Sequence, residues 1–122
     1  MRDGKIVAAV TGMDHGHING MTEGIGEAGA VIKWAYDPDT EKTKTFLNHF
    51  QKFQVKEAKN LEQILEDPEV DLVLSACIPS QRADLGIRVM EAGKDYFVDK
   101  APFTTLEQLE RIRKAIDKTR RK

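Results

Sequence analysis

The sequence contains few of the residues that define several classes of protein. It has one cysteine, Cys77, among 122 residues, which excludes an internal disulfide framework and favours a reducing compartment. No apolar run approaches the roughly 18 residues that a membrane-spanning helix needs, and the charged start at residues 1–5 does not resemble a signal peptide. The sequence therefore predicts a cytoplasmic protein that does not enter a membrane.

An excess of charge of one sign is also absent. Lysines and arginines number 19 and acidic residues 20, so the net charge is −1. A nearly neutral chain has no general attraction to nucleic acid or to anionic membranes. The basic residues 120–122 are more typical of a solvated helix end than of a binding patch. We therefore predict that neither nucleic acid nor membrane is a partner.

Strand-type and helix-type patterns alternate along the chain, which is typical of a parallel sheet covered by helices. Its length fits one domain. With right-handed crossovers, the pattern predicts an α/β fold with a doubly wound parallel sheet, Rossmann-like, in three α/β/α layers, with strand order 3-2-1-4-5. The predicted strands are residues 5–10, 31–36, 54–57, 71–76 and 96–98.

Capping residues mark the starts of the predicted helices. The first helix covers residues 17–28, and Asp37 is predicted to cap a second that runs to Lys52. Ser80 is predicted to cap the helix that ends at Ala92. Capping boxes formed by Asn60 with Gln63 and by Thr105 with Gln108 open the other two. In the last helix the predicted apolar stripe consists of Leu106, Leu109, Ile112 and Ile116.

A loop that contains glycines lies between the first strand and the first helix. In the dinucleotide-binding pattern G-x-G-x-x-G, Gly12 takes the first position, whereas Asp14 and His17 stand at the second and third. A strand before and a helix after are the context in which such a loop presents N–H groups to phosphate. The cofactor-binding residues predicted here are Gly12, Met13, Asp14, His15, Gly16 and His17.

Asp37 ends the second strand, 25 residues beyond Gly12. An acid at this place can accept hydrogen bonds from the adenine-ribose hydroxyls and repel a 2′-phosphate. The sequence therefore predicts NAD as the cofactor and makes NADP less favoured. The same residue is a candidate helix cap, and the two roles can coexist.

His15 and His17 raise the question of a metal site. Two histidines need further ligands, and neither a third histidine nor a pair of cysteines lies near them in sequence. We therefore predict no metal, and place both histidines at the phosphate end of the cofactor, away from the reacting carbon. Cys77 has no evident base or cationic partner and is not predicted to be a nucleophile.

Two further loops follow the fourth and fifth strands. The segment that contains Ala76, Ile78 and Pro79 is predicted to close over the adenosine side of the crevice, because ligands of open parallel sheets lie beyond the carboxyl ends of the strands. Asp99 and Lys100 follow the fifth strand and are predicted to lie near the nicotinamide.

The chain resembles the glucose–fructose oxidoreductase/inositol dehydrogenase/MocA family. The resemblance rests on an ordered set of segments: residues 5–12, Trp34-Ala-Tyr-Asp37, residues 71–76, Ile78-Pro79, Glu91-Ala-Gly-Lys94 and Asp99-Lys-Ala-Pro102. It covers essentially the whole chain, but only the N-terminal cofactor domain of that family. The family uses the lysine of a Glu-Lys-Pro motif near nicotinamide and substrate, which implies a catalytic role for Lys100, and the acid of the motif maps onto Asp99. Here Ala101 precedes the proline.

The resemblance implies an NAD(P)-dependent oxidoreductase that transfers a hydride between nicotinamide and a hydroxyl or carbonyl carbon, commonly of a sugar or polyol. Residues 1–122 would be the dinucleotide-binding domain. The C-terminal substrate domain, with the family's catalytic histidine, would be absent, so the chain alone would be catalytically incomplete. A small-molecule substrate would bind only when that domain is present. The sequence leaves open whether the protein forms a homo-oligomer.

Two other functions fit parts of the same pattern. A stand-alone nucleotide- or CoA-binding module remains the alternative, because it needs no second domain. A phospho-receiver domain has similar length and a lysine after strand five. A receiver domain requires an acidic pair after strand one, where this chain has only Asp14. It also requires an aspartate after a central strand, where this chain has Ser75. The sequence therefore does not favour a receiver domain.

Overall fold

The computed structural model describes residues 1–122 as one parallel five-stranded sheet with helices against both faces. The strand order is β3-β2-β1-β4-β5, which confirms the predicted Rossmann-like topology. The strands are β1 (Val7–Thr11), β2 (Val31–Tyr36), β3 (Lys56–Glu57), β4 (Leu72–Ser75) and β5 (Asp95–Val98). The helices are α1 (His17–Glu27), α2 (Thr40–His49), α3 (Leu61–Glu66), α4 (Pro79–Glu91) and α5 (Leu106–Thr119).

Strand β1 lies at the centre of the sheet and is buried on both faces. Ala8 and Val10 point into one apolar cluster with residues of α1 and α2. Val7 and Ala9 point into a second cluster with residues of α3 and α4. A strand covered on both faces needs apolar residues at every position rather than at alternate ones, and this explains the continuous apolar run in the sequence.

Two predicted helix caps are wrong. The N-cap of α2 is Asp39, whose side chain accepts a hydrogen bond from the N–H of Glu41, because the carboxylate of Asp37 is turned toward the β1–α1 loop. Helix α4 begins two residues earlier than predicted, at Pro79, because its N-cap is Ile78 rather than Ser80. Proline suits the first turn, since its missing N–H would have no partner there.

Other element ends also differ from the prediction. Helix α2 stops at His49 and is followed by a 3₁₀ turn, Gln51–Phe53, rather than running on to Lys52. The predicted capping boxes hold in part: Thr105 and Gln108 form a complete one, and Asn60 accepts a hydrogen bond from the N–H of Gln63.

The apolar stripe predicted for α5 is only partly buried. Leu106 is 81% exposed and Ile116 41% exposed, whereas Ala115 is buried. Helix α5 packs on α4 at the edge of the domain rather than over the sheet, so only a narrow face of it is covered. No helix of the chain combines the length and the hydropathy that crossing a membrane requires.

Helix α4 packs closely on β5 through Gly86, and we expect Gly86→Ala to destabilise the fold. A Cβ at this position would lie 2.6 Å from two ring atoms of Tyr96. The hydroxyl of Tyr96 donates to the carbonyl of Arg82 at 3.0 Å, which holds the ring in place. Overpacking of this kind costs about 1–3 kcal/mol, measurable by urea unfolding.

Gly20→Ala is the matched control, because Gly20 is an exposed helical glycine with no heavy atom within 4 Å of an added Cβ. There alanine should stabilise the protein by about 0.5–1 kcal/mol through helix propensity. Equal effects of the two substitutions would mean that the contact with Tyr96 is not tight.

Candidate functional site

The β1–α1 loop lies against the end of β4, and Gly12 makes this contact possible. Its φ is +79°, and an added Cβ would lie 2.6 Å from Cys77 Cβ and 2.7 Å from Ser75 Oγ. The N–H of Ala76 donates to the carbonyl of Gly12 at 2.9 Å, and the N–H of His15 donates to the carbonyl of Ala76 at 3.0 Å. Gly12 thus provides the tight turn that the first glycine of a dinucleotide-binding loop provides.

Asp14 lies across the mouth of the crevice between the ends of β1 and β4. Its Oδ2 accepts a hydrogen bond from the N–H of Ile78 at 3.1 Å, and its Oδ1 is 2.5 Å from Lys42 Nζ in α2. The hydrogen bond to Asp14 raises the pKa of Lys42. The carboxylate therefore links α2 to the start of α4 above the carboxyl end of the sheet.

Asp37 is 6% exposed and both of its carboxylate oxygens have partners within the chain. Oδ2 accepts from the N–H of Met13 at 2.8 Å, and Oδ1 accepts from the N–H of Asp39 at 2.8 Å. Through these two hydrogen bonds, Asp37 connects the β1–α1 loop to the start of α2.

A cavity of about 370 Å³ opens between β2 and α4. Asp37 and Pro38 form one wall, and Ile78, Gln81 and Leu85 form the opposite wall. This volume is in the range of small-molecule sites, and the cavity lies beyond the carboxyl ends of the strands, as expected for a nucleotide. Ala76 and Pro79, which the sequence also predicted as cofactor contacts, do not line it. Ala76 is buried under the loop.

His17 and Asp99 meet at the end of β5. The distance from His17 Nδ1 to Asp99 Oδ2 is 3.0 Å, although the residues are 82 positions apart in sequence. Burial acts to raise the pKa of Asp99, but hydrogen bonds from the Lys100 N–H and from His17 outweigh it, and the pKa lies below its ordinary value. The β1–α1 loop thus reaches across β4 to β5 and brings His17, predicted at the phosphate end of the cofactor, next to Asp99, predicted near the nicotinamide. Both cofactor assignments stay predictions.

Lys100 is exposed at the same end of the sheet. Its N–H donates to Asp99 Oδ1 at 2.9 Å, so the acid orders the main chain that carries the lysine. The structure thus places together the predicted site residues of the first loop, of β2, and of the loops after β4 and β5. Contact of each with a cofactor stays a prediction.

Arg82 is a site residue that the sequence analysis missed. It is 2% exposed, and its Nε donates to the carbonyl of Cys77 at 2.7 Å. Its Nη1 donates to the carbonyls of residues 99, 100 and 101. The available signal was its spacing: Arg82 lies four and seven residues before Gly86 and Val89, which share the buried face of α4.

Cys77 is buried beside these contacts, and burial raises the pKa of its thiol. A raised pKa disfavours the thiolate, which is the reactive form of cysteine. The structure therefore gives no support to a nucleophilic role for this residue.

Comparison with known proteins assigns the chain to a family. A sequence model of the glucose–fructose oxidoreductase/inositol dehydrogenase/MocA oxidoreductase family, in its NAD-binding Rossmann fold, matches residues 10–122. The chain belongs to this family, as its sequence motifs indicated, and it is an NAD-binding Rossmann domain. No protein of curated function matches the chain by sequence.

Solved structures give the same fold. A proposed oxidoreductase from Erwinia carotovora atroseptica SCRI1043 is 37% identical, with a TM-score of 0.90 over 96% of this chain and 34% of that one. The WlbA dehydrogenase from Bordetella pertussis, in complex with NADH and UDP-GlcNAcA, is 20% identical, with a TM-score of 0.83 over 99% of this chain and 36% of that one.

GenD2 from gentamicin A biosynthesis, in complex with NAD, is 18% identical, with a TM-score of 0.81 over 96% of this chain and 33% of that one. The present chain therefore spans about a third of the length of the solved structures that it matches.

Proposed function

We propose that residues 1–122 are the dinucleotide-binding domain of an NAD-dependent oxidoreductase whose substrate is a sugar or polyol. The observation that carries the proposal is the crevice itself, in which the tightly packed Gly12 loop stands beside a cavity walled by Asp37. Bound NAD would supply the hydride acceptor, and the chain would bind and orient it.

The loop has the donors that a diphosphate needs. Within residues 12–17, the main-chain N–H groups of Asp14 and Gly16 have no acceptor in the chain, whereas the other four donate to protein atoms. Both free groups lie just before α1, where the positive end of the helix dipole also favours an anion. The cavity between β2 and α4 would then hold the adenosine.

Asp37 supports NAD over NADP. Its buried carboxylate stands in the cavity wall, where an added 2′-phosphate would meet a fixed negative charge. Each carboxylate oxygen has a second lone pair, so a ribose hydroxyl can still donate to it while the bonds to Met13 and Asp39 persist.

Calorimetric titration of the chain with NAD, NADP and CoA tests the function. We expect NAD to bind and NADP to bind less tightly. Asp37→Ala should weaken NAD binding by about 1–2 kcal/mol, because a charged hydrogen bond is lost. Asp84→Asn is the control, since Asp84 is exposed on α4 and paired with Arg111. Tighter binding of NADP would contradict the role of Asp37, and binding of CoA without NAD would favour a stand-alone module.

The substrate proposal rests on the family and on two structural neighbours, one solved with UDP-GlcNAcA and one from gentamicin A biosynthesis. Lys100, exposed and positioned by Asp99, is the proposed catalytic residue. We also propose that a further domain, outside these residues, supplies the substrate pocket, and that any homo-oligomer forms through it. The cytoplasm remains the proposed location, because Cys77 is a free thiol.

Lys100→Ala, made in a protein that contains both domains, should lower turnover far more than it weakens NAD binding. Unchanged turnover would contradict a catalytic role and would show that Lys100 is a solvated turn residue. Residues 1–122 alone should show no turnover, because hydride transfer also needs a substrate held in place and a group that exchanges the hydroxyl proton.

A further inference from the structure

Two histidines and one acid come together where the β1–α1 loop reaches the end of β5. One ring nitrogen of His15, one of His17 and one carboxylate oxygen of Asp99 all lie within 4.8 Å of one another. His17 Nδ1 is 3.0 Å and His15 Nδ1 is 3.8 Å from Asp99 Oδ2. The prediction of no metal site rested on the lack of a third ligand near the histidines in sequence, and the fold supplies one in Asp99.

We propose that His15, His17 and Asp99 bind a divalent transition-metal ion of the Zn²⁺ type. Two imidazoles and a carboxylate form a ligand set that zinc accepts. Bonds of about 2.0–2.2 Å in tetrahedral geometry place ligand atoms roughly 3.2–3.6 Å from one another. The largest separation in the cluster exceeds this by about an ångström, which small rotations of the two imidazole side chains remove.

The acid is fixed and the histidines can adjust. The side chain of Asp99 is 12% exposed, and its Oδ1 accepts a hydrogen bond from the N–H of Lys100. Both carboxylate oxygens face the His17 ring, with Nδ1 3.0 Å from Oδ2 and 3.2 Å from Oδ1. The side chains of His15 and His17 are 53% and 58% exposed. His15 Nδ1 accepts a hydrogen bond from the N–H of His17. Because this nitrogen has one lone pair, a metal bound to Nδ1 would replace that hydrogen bond.

The surrounding charges indicate which ions this site would take. It offers a single carboxylate, and the guanidinium of Arg82 is 3.8 Å from Asp99 Oδ2, which opposes a cation. Mg²⁺ and Ca²⁺ prefer oxygen ligands and would gain little here. An ion that bonds strongly to imidazole would bind on the order of micromolar, more weakly than at a structural zinc site with four ligands.

Three protein ligands leave one or more coordination positions open. Water, a hydroxyl or a phosphate oxygen can fill them. The cluster lies beside Lys100, so a bound ion would stand next to the residue that we propose for the reaction.

The test is calorimetric titration of the chain with ZnCl₂, and separately with MgCl₂, in the absence of NAD. We expect one Zn²⁺ per chain and no binding of Mg²⁺. His15→Ala and His17→Ala should each weaken Zn²⁺ binding at least tenfold. Both side chains are exposed, so these variants should fold, and circular dichroism would show it. Asp99→Asn should have a similar effect.

His49→Ala and Cys77→Ala are the controls, because they remove the other histidine and the only thiol. Zn²⁺ binding should be unchanged in both. Co²⁺ in place of Zn²⁺ gives a second readout, since its visible absorption reports the ligands and should be lost in His17→Ala. The proposal would be overturned if Zn²⁺ did not bind, or if it still bound after the loss of His15 and His17. The cluster would then be only a hydrogen-bonded pair of His17 and Asp99. Neither outcome bears on NAD binding, which is measured separately.

Discussion

Arg82→Ala should lower the free energy of unfolding by about 3–5 kcal/mol, as expected when one partner of a buried charged network is removed. The Arg82 side chain is 2% exposed. Its guanidinium donates hydrogen bonds to the carbonyls of Cys77 and of residues 99–101. Alanine would leave those carbonyls without a donor and leave a cavity between α4 and the loop after β5. A loss of this size is a large part of the total stability of a small domain.

Urea unfolding, followed by circular dichroism and by the fluorescence of the single tryptophan, Trp34, measures the effect. The matched control is Arg88→Ala in the same helix, because Arg88 pairs with Glu62 at the surface and should contribute no more than about 1 kcal/mol.

Arg82→Lys keeps the charge but loses the planar fork of donors, so we expect an intermediate loss. This variant still tests the network if Arg82→Ala does not fold. Similar midpoints for Arg82→Ala and Arg88→Ala would show that the buried guanidinium does not hold the loop.

Asp14→Asn should strengthen NAD binding about tenfold or more, or roughly 1.4 kcal/mol. A diphosphate bound to the loop would meet the Asp14 carboxylate, which stands where a dinucleotide-binding loop has its second glycine. Asparagine keeps the size of the side chain, removes the charge and releases Lys42 from its ion pair, so that the ammonium can turn to the phosphates.

The double variant Asp14→Asn/Lys42→Ala separates these contributions. If Lys42 contacts the diphosphate, the double variant should bind NAD more weakly than Asp14→Asn alone. The increase in NAD affinity of Asp14→Asn should also be smaller at high ionic strength, because exposed charges are screened. Titration of each variant with NAD measures both effects. Weaker binding by Asp14→Asn would instead show that Asp14 contributes directly to cofactor binding.

The fold could be predicted from sequence because its signals are local and repeated. Apolar runs and apolar periodicity, bounded by glycine, proline and capping residues, marked the helices and every strand except β3. That strand consists of two exposed charged residues, Lys56 and Glu57. Right-handed crossovers then allowed few strand orders for the sheet. The element ends were less secure: the cap of α2 moved from Asp37 to Asp39, because a loop 24 residues earlier offers Asp37 a main-chain N–H.

The site could be predicted in outline but not in its contacts. Gly12, Asp37 and Lys100 were chosen as candidates because a strand end followed by a loop is where parallel sheets bind ligands, and the structure places all three at strand ends. The sequence did not show that Asp14 pairs with Lys42, since that contact depends on how α2 lies over the loop. The burial of Arg82 was equally hidden, because an arginine in a helix is exposed in most proteins.

The sequence by itself determined the order of elements, the doubly wound sheet, the family and the position of the glycine-bearing β1–α1 loop. These depend on backbone preferences and on apolar periodicity, which neighbouring residues specify. Only the tertiary structure decided which side chains meet. Residues 17 and 99 are brought together by the adjacency of β1, β4 and β5, and contacts between distant segments depend on packing geometry that no local pattern encodes.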